Sequence, residues 1–64
     1  MIVLLRKIRK EKNLTQFSVA DMANIGRSTI SDIETGRRVP GVDIALHIAR
    51  ALDCKVEDIF KLEE

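Results

Sequence analysis

Apolar positions along the chain recur with the period of short helices. Leu4, Leu5 and Ile8 form one stripe, and Arg6, Lys7, Arg9, Lys10 and Lys12 fill the positions around it, which predicts a first helix over residues 3–12. Asn13 follows the last periodic residue, where a helix often ends in a left-handed conformation, and Leu14 returns the chain to the core. Thr15 stands where an N-cap is wanted, opening a second helix over 16–23. At ~100° per residue, Val19, Ala20 and Ala23 fall together and Phe17, Ser18 and Asp21 fall opposite. A third helix over 27–35 turns Ile30 and Ile33 inward and ends near Gly36. Arg37-Arg38 lie in a loop closed by Pro40-Gly41. The fourth, over 42–52, places Ala45, Ile48, Ala49 and Leu52 on one side, with His47 and Arg50 pointing away. A last short helix over 56–61 carries Ile59 inward, with Phe60 at the edge of the core. No strand competes in this reading, and the expected fold is all-α, a compact bundle of five helices.

The second and third helices are separated by Asn24-Ile25-Gly26. Asn tolerates φ > 0 and Gly adopts it freely, so a sharp change of direction is cheap there. Two helices joined by such a turn form a helix-turn-helix, whose second helix can enter the major groove of DNA. A packed helix pair with no DNA role carries the same small residues and the same turn, and spacing alone does not separate the two.

The size of the chain favours this arrangement. A domain of 64 residues buries only ~60% of the surface its unfolded chain exposes, which suits short helices with local contacts better than a sandwich or barrel. The single Cys54 offers no intrachain disulfide, and there is no Cys/His cluster for a metal, so apolar packing has to hold the fold. Met1–Leu5 is too short for a signal-peptide core or a membrane span, and the expected location is the cytoplasm. The net charge is +1, but residues 1–38 hold eight Lys/Arg against four Asp/Glu, and residues 39–64 hold three against six. A basic N-terminal part suits a polyanionic partner; an ordinary solvated face would carry the same charges.

Catalysis finds little to use. His47 sits on an outward helix position, and Cys54 has no His or second Cys nearby to activate it. Gly26, Gly36 and Gly41 form no phosphate-cradling run. The expectation is therefore no enzyme, no cofactor and no metal. A DNA reading gives the polar residues roles. Gln16, opening the second helix, can donate its amide to a phosphate beside that helix's free N–H groups. Arg27 can reach G O6/N7 or a phosphate, Ser28 and Ser31 can bond to base or backbone, and Thr29 can offer its methyl to thymine. Asp32 can accept from cytosine N4, or instead orient Arg27 or Arg37. Thr35, Arg37 and Arg38 lie where the sugar–phosphate backbone would pass.

The run LTQ-x-x-VA-x-x-A-N-I-x-R-S-T-I-S-x-IE-x-GRR-x-P, followed by ALHIARALDCKVEDIF, resembles the phage-repressor helix-turn-helix family (Cro/CI-like, also called XRE). The likeness spans residues 4–60 and implies a lambda-repressor-like bundle with residues 27–35 as recognition helix. It implies that Gln16 is the phosphate-contacting glutamine and that Arg27, Ser28 and Asp32 occupy base-contacting positions. It also implies a buried salt bridge between Arg9 and Glu34. Departures are Asn24 where Gly is usual in the turn, Gly26 in place of a hydroxyl cap, and Phe17 at a commonly polar position, where it either lies against the first helix, the favoured reading, or meets a partner.

The expectation is a sequence-specific regulator of transcription, a repressor, acting on a double-stranded operator. One small module buries only ~600–1,000 Å² on DNA, so a homodimer on a two-fold operator is expected. Leu46, Phe60 and Leu62, with the apolar Met1–Val3, are the candidate dimer contacts. The alternative is a protein-interaction module, such as an antitoxin or an accessory partner of another regulator.

Overall fold

The computed structural model describes residues 1–63. Five helices, α1 (Leu5–Glu11), α2 (Gln16–Ala23), α3 (Arg27–Glu34), α4 (Val42–Ala51) and α5 (Val56–Ile59), lie between two short strands, β1 (Ile2–Val3) and β2 (Phe60–Lys61). Leu5, Val19, Ile30, Ile33, Ile48, Leu52 and Ile59 form the centre of one core and are almost fully shielded from solvent. Each such aliphatic side chain contributes ~1.5–3 kcal/mol. Ala20 and Ala23, both buried on α2, keep that helix's inner face low, so that α3 on one side and α4 on the other pack close to its backbone.

Helices α1 to α4 all stop in the same way. A residue with positive φ follows each helix (Asn13 at 57°, Asn24 at 58°, Gly36 at 81°, Asp53 at 54°). The next residue sends its N–H back to a carbonyl in the last turn: Leu14 to Arg9, Ile25 to Ala20, Arg37 to Asp32, and Cys54 to Ala49, at 2.8–3.0 Å. These are the long-range bonds of the Schellman motif, and they satisfy carbonyls that a helix end leaves orphaned. At the start of α2, Thr15 Oγ1 accepts from the Ser18 N–H at 3.0 Å.

The strand pair corrects the helix-only expectation. Ile2 faces Lys61 and Val3 faces Phe60 in antiparallel register, and the Leu4 N–H donates to Ile59 O at 2.7 Å. That bond commits the chain before Leu5 to extended pairing, so α1 begins at Leu5 and not at Val3. For the same reason α5 ends at Ile59, and Phe60 takes φ −121°, ψ 122°. Phe17 is 68% exposed, so little of it lies against α1, and of the two readings the partner contact is left.

Candidate nucleic-acid interface

Burying Ile30 and Ile33 fixes the rotation of α3 about its axis. Arg27 and Ser28 are then exposed at its start, Ser31 and Asp32 half-buried along its middle, and Thr29 half-buried at the flank. Gly26 supplies no side-chain cap, so the Arg27 and Ser28 N–H groups stay available at the positive end of the helix dipole, while the Thr29 N–H donates to Gly26 O at 3.1 Å. Gln16 comes from the start of α2 to join them. Gln16, Arg27, Ser28 and Ser31 line one open concavity of about 370 Å³.

Past the helix end, Thr35, Gly36, Arg37 and Arg38 are exposed. The N–H groups of Arg37 and Arg38 both donate to the Asp32 carbonyl, at 2.8 and 3.2 Å, which ties the basic pair to the last turn of α3. Thr35 Oγ1 donates to Ser31 O at 2.9 Å, so its hydroxyl proton is engaged while its oxygen can still accept. The ion pairs among the described residues are Arg9–Glu34 and the Met1 amine with Glu63, which leaves the Asp32 carboxylate joined to neither Arg27 nor Arg37.

Beneath this surface lies a buried polar cluster. Arg9 donates from Nε to Glu34 Oε2 at 2.7 Å and from Nη2 to Oε1 at 3.1 Å, and its Nη1 donates to Leu14 O at 2.9 Å. The side chains are 10% and 3% exposed, so this is a bidentate pair largely outside solvent. Gln16 Nε2 also donates to Glu34 Oε1, at 3.0 Å. Burial pushes the Glu34 carboxyl up, but the hydrogen bonds from Arg9 and Gln16, with the charges of Arg9 and Arg6, outweigh it and hold the group below its ordinary range. The Arg9 guanidinium is raised chiefly by its hydrogen bond to Glu34. The Gln16–Glu34 contact joins residues 18 apart on different helices, and no spacing rule points to it.

Elsewhere, Met1, Pro40, Val42, Ala45, Leu46, Val56, Glu57 and Phe60 surround a mainly apolar concavity of about 430 Å³. Leu46 is 56% and Leu62 82% exposed, whereas Phe60 is half-buried. Cys54 is half-buried, its thiol directed to Leu52 O at 3.3 Å. His47 is exposed.

A helix pair with an apolar inner face, a polar outer face on the second helix, and basic residues beyond it defines a DNA-binding protein of the helix-turn-helix class. The family model described as Helix-turn-helix matches residues 5–59, and the chain belongs to that family. It is 45% identical to an uncharacterized HTH-type transcriptional regulator of Methanothermobacter thermautotrophicus, over the whole of this chain and 94% of the relative. It is 40% identical to the immunity repressor protein of Bacillus phage phi105, over 86% of this chain and 38% of that protein. Among solved structures it superposes on the restriction-modification controller protein C.AhdI from Aeromonas hydrophila with a TM-score of 0.84, at 32% identity, covering 88% of this chain and 85% of the other. The protein is thus a DNA-binding regulator of transcription, of the Cro/CI-like, XRE type. No helix among the described residues is long and apolar enough to cross a membrane.

Proposed function

We propose that the protein is a sequence-specific repressor that inserts α3 into the major groove of a two-fold operator as a homodimer. The observation that carries this is the rotation of α3: with Ile30 and Ile33 in the core, Arg27, Ser28, Ser31 and Asp32 are left as a short polar face without a large apolar group. Such a face fits a groove ~12 Å wide. In this reading Arg27, Ser28, Thr29, Ser31 and Asp32 contact base edges. The free Asp32 carboxylate suits cytosine N4, the one strong donor a base edge offers it besides adenine N6. Gln16, Thr35, Arg37 and Arg38 hold the flanking phosphates. The protein acts without catalysis, in the cytoplasm, by occupying DNA.

Dimerisation uses the apolar concavity lined by Leu46, Phe60 and Met1, together with the exposed Leu62. A protomer measuring 31 × 21 × 19 Å is of the size needed for two copies to present their α3 helices ~34 Å apart, one turn of B-DNA. Selecting bound fragments from random duplexes tests the whole reading: it should return an inverted repeat with half-sites about one turn apart. Enrichment of no sequence at all would refute it and leave the protein-interaction alternative. Sedimentation showing a monomer at every concentration, free and on DNA, would remove the dimer.

A further inference from the structure

We infer that Glu34, whose side chain is 3% exposed, is a positioning residue for DNA binding: it holds the Gln16 amide in one orientation at the edge of the α3 concavity. The inference rests on the reading above that this concavity faces DNA. Glu34 Oε1 accepts from both Arg9 Nη2 and Gln16 Nε2, and Arg9 Nε occupies Oε2. A carboxylate accepts only, so the atom that Gln16 turns toward it must be nitrogen, and the amide cannot flip without setting oxygen against oxygen. The remaining N–H and the carbonyl of Gln16 are therefore fixed in sense while the residue lines the same concavity as Arg27, Ser28 and Ser31. A free glutamine would surrender its rotamers on binding a phosphate, whereas this one has surrendered them on folding. The anchor is rigid because Arg9 is pinned in turn to Leu14 O, in the segment between α1 and α2. One buried carboxylate thus joins α1, the end of α3 and the phosphate-facing start of α2.

The test compares the cost of Gln16→Ala to operator affinity in two backgrounds, the native chain and the paired Arg9→Met/Glu34→Leu replacement. The pair removes the anchor without changing net charge or stranding a buried ion. Immobilising one long side chain corresponds to about three- to tenfold in affinity per subunit. Gln16→Ala should therefore cost at least that much in the native background and markedly less in the replaced one. Equal costs in both would overturn the positioning role and leave the DNA interface standing. No cost in either would remove Gln16 as a phosphate contact and the positioning role with it, whereas a native chain that binds no operator at all is the failure of the underlying reading. Because the replaced background has to fold, the native protein gives a second readout. By NMR, the Gln16 side-chain amide proton that faces Glu34 should be shifted downfield of the free-glutamine position and protected from exchange. A proton pair at free-glutamine shifts and exchanging rapidly would overturn the inference whatever the variants do.

Discussion

Arg9→Ala is the substitution for which the structure sets the largest penalty. It removes two charge-assisted hydrogen bonds to Glu34 and one to Leu14 O, and leaves a carboxylate whose side chain is 3% exposed without its cation. Breaking one half of a buried pair costs ~3–5 kcal/mol, most of it the desolvation of the stranded charge. A chain of this length has only ~3–10 kcal/mol in total, so the variant should be largely or wholly unfolded at 37 °C. The pH dependence separates this cause from simple loss of packing. In the native protein the Glu34 carboxyl is lowered, so its contribution is complete above the ordinary carboxylate value and is lost as pH falls through the folded one. In the variant, burial acts with neither Arg9 hydrogen bond to oppose it, the folded carboxyl moves up, and acidification lets it neutralise. The gap between the two proteins should therefore narrow as pH falls from 7 toward 4. Urea unfolding followed by circular dichroism, at pH intervals across that range, reads both quantities. A loss below ~1 kcal/mol at pH 7, or a gap that stays constant with pH, would refute the reasoning.

The other expectations are more local. Asp53→Gly should stabilise the protein by ~0.5–1 kcal/mol, since relief of a left-handed residue (~1–2 kcal/mol) exceeds the extra unfolded-chain entropy of Gly (~0.5–1 kcal/mol). A thermal midpoint raised by about 4 °C would register it. Leu46→Asp should abolish the dimer in sedimentation and leave monomer stability within ~0.5 kcal/mol, because Leu46 lies outside the core. Arg38→Ala should weaken all DNA sequences alike and lower the salt slope by about 1. Asp32→Ala should instead change which bases are selected, by ~1–3 kcal/mol at one position of each half-site.

What could be read from the sequence follows from the range over which each interaction acts. The stripes of α2 and α3 and the left-handed stops at Asn13, Asn24 and Gly36 are written in residues next to one another. Asp53 uses the same geometry, but its αL tolerance is weaker and hidden within a turn of mixed residues. The β1–β2 pair could not be read, because two residues are too few for an alternating pattern and its partners lie at opposite ends of the chain. Met1–Leu5 is simply apolar, and only the Leu4 N–H bond to Ile59 O decides where its helix starts. At the site, the inward pointing of Ile30 and Ile33 already determines which residues of α3 face out. The Gln16–Glu34 bond has no local signal, and it turns a residue read as a free phosphate donor into one held from below. Phe17 misled for a related reason: an apolar side chain among Ser18 and Asp21 on the outward face of α2 suggests packing against a neighbour, and 68% of it is in solvent.

The claim on which the account depends is that the outward face of α3 sits in the major groove. Dimethyl sulfate footprinting on the selected operator tests it directly, since guanine N7 lies in the major groove and adenine N3 in the minor. The account predicts protection of guanine N7 in each half-site, with at least one protected guanine lost on Arg27→Ala. Protection confined to adenine N3, or guanine protection unchanged by removing Arg27, Ser28 and Asp32 together, would contradict it.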